Sequence, residues 1–351
     1  MNLEQRINAF VELGDFLSQF HSSGVEKKNN IKHNDLFFDG FKHQIKLAEE
    51  HNGWFTKENI YYALEGWSKS LKNNNINKWL SKYNFNNNHK KVAIIMAGNI
   101  PLVGFHDFLS VLISGHSVLV KQSSIDNKLL PFLAKYLEYV EPEFKGKIEF
   151  TEEKLANFDA VIATGSDNTS RYFEYYFKSK PSIIRKNRNS VAVLNGNETE
   201  EQLKALSNDI FRYYGLGCRN VSKLFVPKGY KFDNFFKAIY DWHPIIQQQK
   251  YANNYDYNKA VYLMSEFDML ENGFLMIKED VSYSSPIATL FYEFYNSKTT
   301  LQEKLNNEND FVQCVVASGF SDSEVSFGRT QRPELWNYAD NVDTIEFLLT
   351  I

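Results

Sequence analysis

Cysteine is scarce in this chain of 351 residues: there are two, Cys218 and Cys314. Two thiols make neither a disulfide framework nor a metal cluster, and the eight histidines fall in no ligand-like spacing, so no structural metal is expected. Basic blocks are missing as well. Lys and Arg number 39 against 43 Asp and Glu, a net charge of −4, which leaves a nucleic-acid partner without an electrostatic footprint. No apolar run approaches the roughly 20 residues needed to cross a bilayer, and the amino terminus, MNLEQRINAF, lacks the apolar core of a signal peptide. The expectation is a cytoplasmic protein with no membrane span. There is no complete GxGxxG fingerprint and no internal repeat. What the chain does have in excess is aromatic residues, at 15%, which suits apolar crevices for a greasy ligand as well as large cores.

The length predicts about two domains. Residues 1–90 read as a helical segment packed on the first domain: Ile7, Phe10, Leu13, Phe16, Leu17 and Phe20 form one stripe at helical spacing. A second helix is predicted over Phe41–Glu50 and a third after Thr56, a good N-cap. Asparagine clusters at Asn73–Asn75 and Asn86–Asn88 predict turns or connections.

From Lys91 the texture changes to short apolar strands alternating with helices. Val92-Ala93-Ile94-Ile95-Met96 is apolar throughout, as in a strand buried on both faces of a parallel sheet. Further strands are predicted at Ser117–Lys121, Lys147–Phe150 and Ala160–Ala163, with helices over Phe105–Ser114 and Asp126–Val140 between them. The alternation predicts a doubly wound α/β domain over 91–195, with ligands at the carboxyl ends of the strands, where Asn99, Lys121, Gly165 and Ser166 stand. Residues 196–320 repeat the pattern as a second α/β domain. It has strands at Lys223–Val226, Phe274–Ile277, Ile287–Phe294 and Phe311–Ala317, and helices over Glu200–Tyr214, Asn234–Gln247, Leu301–Asn306 and near Lys259–Leu270. Residues 321–351 are expected to return toward the site, and TIEFLLTI to supply an oligomerisation strand.

Cys218 lies in YYGLGCRNVSKLFVP, between Gly215, Gly217 and the run Leu224-Phe225-Val226. A helix should end, a loop present the sulfur, and a strand begin. A cysteine taken alone is more often a small buried apolar residue. A thiol reachable on a loop, however, is how a nucleophile is displayed. Asn99 carries an amide able to donate to an oxyanion, or to cap a turn; Lys121 suits ribose hydroxyls or a 2′-phosphate, or is an exposed strand-end charge; Gly165 allows close backbone approach to a pyrophosphate with Ser166 opening the next helix, or the two form an ordinary tight turn and N-cap. His106, His116 and His243 are read as structural, Cys314 as core, and Tyr172, Tyr175 and Tyr176 as a helix packing face.

In order and spacing, these landmarks resemble the aldehyde dehydrogenase superfamily, and more closely its acyl-CoA reductases of the LuxC family. The motifs are AGNIP (97–101), SVLVKQSS (117–124), ATGS (163–166), GLGC (215–218), SSPIATLF (284–291) and SFGR (326–329). The resemblance implies an aldehyde-dehydrogenase-like α/β fold of two doubly wound domains with a helical N-terminal segment. It implies Cys218 and Asn99 as catalytic residues, and Lys121, Ser123, Ser124, Gly165 and Ser166 as contacts of a nicotinamide dinucleotide. Where aldehyde-oxidising relatives place a glutamate base, Arg185–Arg188 (RKNR) aligns, which disfavours release of an acyl-enzyme by water. Where NAD-preferring relatives carry a glutamate three residues after the lysine, Ser124 stands here, which removes a repulsion against the 2′-phosphate of NADPH.

The implied function is NADPH-dependent reduction of a long-chain acyl-CoA, or an acyl-carrier thioester, to the aldehyde through an acyl-cysteine. The alternatives are oxidation of an aldehyde, a cofactor-independent Cys acyltransferase or thioesterase, and a non-catalytic scaffold. A homo-oligomer and an acyl-transferring partner enzyme are expected by analogy.

Overall fold

The computed structural model describes residues 1–86 and 88–351. The chain divides into two units, Met1–Lys186 with Glu334–Ile351, and Asn187–Pro333. The first helix shows how pattern becomes structure. α1 (Leu3–Leu17) starts at Asn2 with a reciprocal cap: the Gln5 N–H donates to the Asn2 side chain and the Asn2 N–H to the Gln5 side chain. Every member of the predicted stripe is buried. At roughly 1.5–3 kcal/mol per large apolar side chain removed from water, that face holds the helix more firmly than its own propensity does.

A two-residue hairpin, β1 (Phe20–His21) with β2 (Gly24–Val25), leads into α2 (Asn34–His51), α3 (Lys57–Ser70) and α4 (Asn73–Leu80). α3 starts at the predicted Thr56, whose hydroxyl accepts the Asn59 N–H at 3.3 Å. α4 occupies the expected turn at Asn73–Asn75, because Ile76, Trp79 and Leu80 recur at helical spacing and all three are buried, which outweighs the turn preference of asparagine. In the second cluster Asn87 lies outside the described residues, while the Asn86 and Asn88 amides donate to the Leu349 and Ile351 carbonyls.

The first sheet is built from β3 (Lys91–Ile95), β4 (Ser117–Lys121), β5 (Ile148–Phe150), β6 (Ala160–Thr164) and β7 (Ser182–Arg185), with α5 (Phe105–Ile113), α6 (Leu129–Val140) and α7 (Asp167–Phe177) between strands. Its order is β5-β4-β3-β6-β7, and every pair is parallel. β3 and β6 are therefore neighbours from which the chain departs in opposite directions, the switch point at which doubly wound sheets open a crevice. α5–α6 and the amino-terminal helices share one core, with Phe10, Phe16, Phe41, Phe105, Phe108 and Tyr136 inside.

The second unit runs β8 (Asn189–Val193), α8 (Glu200–Phe211), β9 (Val221–Pro227), α9 (Asp233–Ala238), α10 (Gln249–Met264), β10 (Met269–Glu271), β11 (Met276–Glu279), β12 (Thr289–Tyr295), α11 (Lys298–Asn307) and β13 (Val312–Val316). The sheet order is β10-β11-β12-β9-β8-β13, parallel except for the antiparallel β10–β11 pair. The predicted boundary at 195 therefore moves to Lys186, because β8 hydrogen-bonds to β9 and β13, and the predicted boundary at 320 moves to Pro333. The helix predicted near Lys259–Leu270 ends at Met264, and its last residues enter β10.

Two expectations are corrected. TIEFLLTI is no strand but α12 (Thr344–Thr350): Asp343 caps it by accepting the Glu346 N–H at 3.0 Å, and Ile345 and Leu348, one turn apart, are buried in the first unit's core. The oligomerisation strand expected there does not exist. Tyr172, Tyr175 and Tyr176 are exposed; Phe173 and Phe177 are the residues by which α7 packs on its sheet.

Candidate active site

The first-unit residues expected to contact substrate or cofactor stand at or just after the carboxyl ends of β3, β4 and β6, with Lys121 the last residue of β4. Asn99 lies in the loop after β3, Ser123 and Ser124 in the loop after β4, and Gly165 and Ser166 after β6. The loops are packed on one another. A side chain at Gly98 would bring its Cβ within 2.6 Å of Ser123 Cβ and Oγ, and one at Gly165 would meet Phe173 and Thr169 at 3.0 Å. Glycine is required at Gly98 by close approach of the next loop. The end of α2 grips both loops, since His51 Nε2–H donates to the Ser124 carbonyl at 2.8 Å and the Asn52 amide to the Gly98 carbonyl at 3.3 Å. Lys121 Nζ donates to the Glu153 carbonyl at 2.9 Å. Ser166 caps α7, accepting the Thr169 N–H, so a helix amino terminus opens directly behind Gly165.

In the second unit Cys218 is exposed on the loop between α8 and β9, as predicted. The approach to it is strained. Tyr213 (φ 54), Tyr214 (φ 59) and Gly215 (φ 76) are successive left-handed residues, and two of the three carry aromatic side chains. Buried Asn220 holds this shape. Its amide Nδ2 donates to the carbonyls of Asp209, Ile210 and Arg212 at 3.0, 3.3 and 2.8 Å, satisfying the exposed end of α8, and its Oδ1 accepts the Gly217 N–H at 2.8 Å. The Asn220 N–H donates in turn to the Gly217 carbonyl at 2.9 Å. On the other side the Ser190 hydroxyl, at the start of β8, donates to the Cys218 carbonyl at 3.0 Å and lies 2.9 Å from Cys314 Sγ. With that hydroxyl proton committed, the Cys314 thiol donates to the Ser190 oxygen; burial pushes the Cys314 thiol pKa up, which keeps it protonated.

Two buried carboxylates brace the loops. Asp126 accepts the Leu102 N–H, and burial pushes its carboxyl up to about 7. Asp209, in the last turn of α8, accepts from the Gly328 and Thr330 N–H groups and the Thr330 hydroxyl, which tethers the SFGR segment; burial still raises its carboxyl to about 6. Arg185 is buried at the end of β7, paired with Asp107 of α5 and donating to the Thr344 hydroxyl at 3.2 Å. The three histidines hold structure: His106 bonds the Leu335 carbonyl at 2.9 Å, His116 the Leu348 carbonyl at 2.8 Å, and His243 the Tyr240 carbonyl at 3.1 Å.

Sequence reasoning passed over Asn220, Ser190, Asp209 and Asp126. The signal for Asn220 was present, since an asparagine two residues after a glycine-flanked cysteine is a turn residue that bonds local backbone. Ser190 and the two aspartates gave none, because their partners are distant in sequence. Among the described residues there is no group of three or more His, Cys, Asp or Glu side chains able to hold a metal, and no helix long and apolar enough to cross a membrane.

No curated protein sequence gives a match to the chain. Solved structures do. Aldehyde dehydrogenase 21 from Physcomitrella patens, in complex with succinate, superposes with a TM-score of 0.67 at 10% identity, covering 100% of this chain and 84% of that one. The aldehyde dehydrogenase KauB from Pseudomonas aeruginosa gives 0.64 at 12% identity, over 90% and 72%. Aldehyde dehydrogenase C from Pseudomonas syringae, a mutant complexed with NAD+ and octanal, gives 0.64 at 10% identity, over 92% and 73%. At these identities the likeness is one of fold, the aldehyde-dehydrogenase fold. The family model of acyl-CoA reductase (LuxC) matches residues 40–241, more than half of the chain, a span that includes the strand-end loops of the first sheet and the Cys218 loop of the second unit. The chain belongs to the LuxC acyl-CoA reductase family, oxidoreductases of acyl and aldehyde groups.

Proposed function

We propose that the protein reduces a long-chain acyl thioester, acyl-CoA in the first instance, to the aldehyde with NADPH through an acyl group carried on Cys218. The observation that carries the reading is the display of Cys218: an exposed thiol on a loop whose neighbouring peptides are pinned by Asn220 and Ser190. Its sulfur attacks the thioester carbonyl, the carbon–sulfur bond to CoA breaks, and CoA leaves as a thiol. By the family resemblance, the Asn99 amide is the side chain proposed as a donor to the oxyanion that forms on the way.

The residues of the first unit fit a dinucleotide. Gly98 is a place where a Cβ would collide with the neighbouring loop and Gly165 one where it would sit tight against the next helix, Ser166 opens a helix amino terminus able to receive phosphate, and Lys121 supplies a cation at the end of β4. When bound, the dinucleotide supplies a hydride to the thioester carbon. Cys218 then departs as a thiolate while the carbonyl of the aldehyde re-forms. Arg185 supports reduction over hydrolysis: the segment that aligns with the water-activating glutamate of aldehyde-oxidising relatives begins here with a guanidinium committed to Asp107 and Thr344.

The test is intact-mass spectrometry of the full chain after incubation with a long-chain acyl-CoA, with and without NADPH. Wild type should gain one acyl group and lose it as aldehyde on adding NADPH; Cys218→Ala should do neither. Full NADPH turnover by Cys218→Ala would falsify the reading. Acyl turnover at full rate without any dinucleotide would replace it with acyl transfer or hydrolysis.

A further inference from the structure

Three peptide groups flank Cys218, and the structure accounts for each. The Gly217 N–H donates to Asn220 Oδ1 at 2.8 Å, the Gly217 carbonyl accepts the Asn220 N–H at 2.9 Å, and the Cys218 carbonyl accepts the Ser190 hydroxyl at 3.0 Å. Because the two ends of a trans peptide point in opposite directions, fixing the Gly217 carbonyl on Asn220 turns the Cys218 N–H to the other side. Fixing the Cys218 carbonyl then sets the remaining torsion of the residue. Neither clamp is incidental to solvent: Asn220 is 3% exposed and Ser190 0%. The Asn220 amide also supplies two carbonyls of α8 and that of its cap Arg212, so it keeps the left-handed run Tyr213–Gly215 in register with the helix it leaves.

We propose that Asn220 and Ser190 are the positioning residues of the nucleophile loop, clamping the backbone on both sides of Cys218 so that its thiol is held in one orientation. This rests on Cys218 being the acylated residue, but the clamp itself is legible without that reading. Ser190 acts through the carbonyl of Cys218 and Asn220 through both ends of Gly217; neither is assigned a proton or a bond to substrate. Misplacement of a reacting group by about 1 Å can cost on the order of a hundredfold in rate, so loosening either clamp should slow acylation far more than it disturbs the fold.

The experiment uses the full chain as wild type, Ser190→Ala and Asn220→Asp. Cys218 alkylation by iodoacetamide is followed against pH, with peptide mapping to separate it from Cys314, alongside acylation by long-chain acyl-CoA and urea unfolding. Asn220→Asp keeps the acceptor for Gly217 but faces three carbonyls with an oxygen in place of a donor; if it does not fold, Ser190→Ala decides. Ser190→Ala is expected to fold with a urea midpoint lowered by the loss of its buried hydrogen bonds, to alkylate with a displaced pH midpoint, and to acylate at least about thirtyfold more slowly. A folded Ser190→Ala with the wild-type alkylation profile overturns the clamp, since a purely structural role would change stability and leave that profile alone. Failure of wild type to take acyl from acyl-CoA would strike the proposed function instead, while the alkylation profiles would still judge the clamp.

Discussion

The Asp126 carboxylate accepts the backbone N–H of Leu102, joining the loop after β4 to the loop after β3 that carries Asn99. Leu102 needs such an anchor, because its φ of 58 is left-handed and it is no glycine. The bond is made at the cost of burying a carboxylate.

That cost has a definite pH dependence. Burial raises the Asp126 carboxyl from its ordinary 3.8 to about 7. Between those values the unfolded chain has released its proton while the folded chain keeps it, so the stability contribution is fully present at low pH and is lost as pH rises through about 7. Asp126→Asn keeps an oxygen for the Leu102 N–H and carries no charge. It should be more stable than wild type at about pH 8, with the advantage gone by about pH 4, as read by urea midpoints. A variant weaker than wild type at the higher pH would mean that the ionised carboxylate holds the loop.

Asp209 braces the other unit, taking the Gly328 N–H at 2.6 Å and the Thr330 N–H and hydroxyl at 3.0 and 2.8 Å. Asp209→Ala leaves those donors unmatched, and Thr330 is buried. At about 1–3 kcal/mol for each stranded group, the loss should total about 3 kcal/mol or more in urea unfolding, with new protease sensitivity around 326–330. The wild type should also lose stability as pH rises from 3.8 to about 6, the range over which Asp209 alone of the pair of states keeps its proton when folded. That component should be missing from the variant.

Arg185 and Asp107 form a buried ion pair between β7 and α5, and Thr344 of α12 completes it. Removing one partner strands a charge. Asp107→Ala should cost about 3–5 kcal/mol, whereas Asp107→Leu combined with Arg185→Met should recover most of that loss. A double-mutant cycle in urea measures it, and additive losses would show that the pair does not act as a unit.

The fold was legible where one periodicity ran without competition. The apolar strands β3, β4 and β6 and the Phe-rich face of α1 fall where the sequence placed them, because each buries its apolar set, Ile95 of β3 only in part. It was misread where a local preference lost to a cap or to burial. Asn73–Asn75 reads as a turn until Trp79 and Leu80 are counted, and TIEFLLTI reads as a strand until Asp343 is seen as its cap. The same holds for Tyr172, Tyr175 and Tyr176, where Phe173 and Phe177 carry the packing. At the site, glycine and cysteine announced the Cys218 loop, but the groups that hold it did not announce themselves. Ser190 meets Cys218 only because β8 and β9 lie side by side, and Asp209 meets Thr330 only because the chain folds back across α8.

Lys121 is the residue on which cofactor choice is expected to turn. It ends β4 with its ammonium on the Glu153 carbonyl, and Ser124, exposed three residues on, stands where the family resemblance expects NAD-preferring relatives to carry a glutamate. A cation that contacts only the non-reacting end of the dinucleotide stabilises ground and transition states equally, so its loss should appear in KM and not in kcat. Lys121→Ala should raise the KM for NADPH about tenfold, equivalent to about 1.4 kcal/mol, with kcat changed less than about twofold. Ser124→Glu should raise the KM for NADPH by a similar factor while leaving NADH nearly untouched, because only the former carries the extra phosphate. Steady-state reduction of a long-chain acyl-CoA with each dinucleotide separates the two effects. Equal losses with NADPH and NADH in Ser124→Glu would place the 2′-phosphate away from this loop and remove the reason for expecting NADPH.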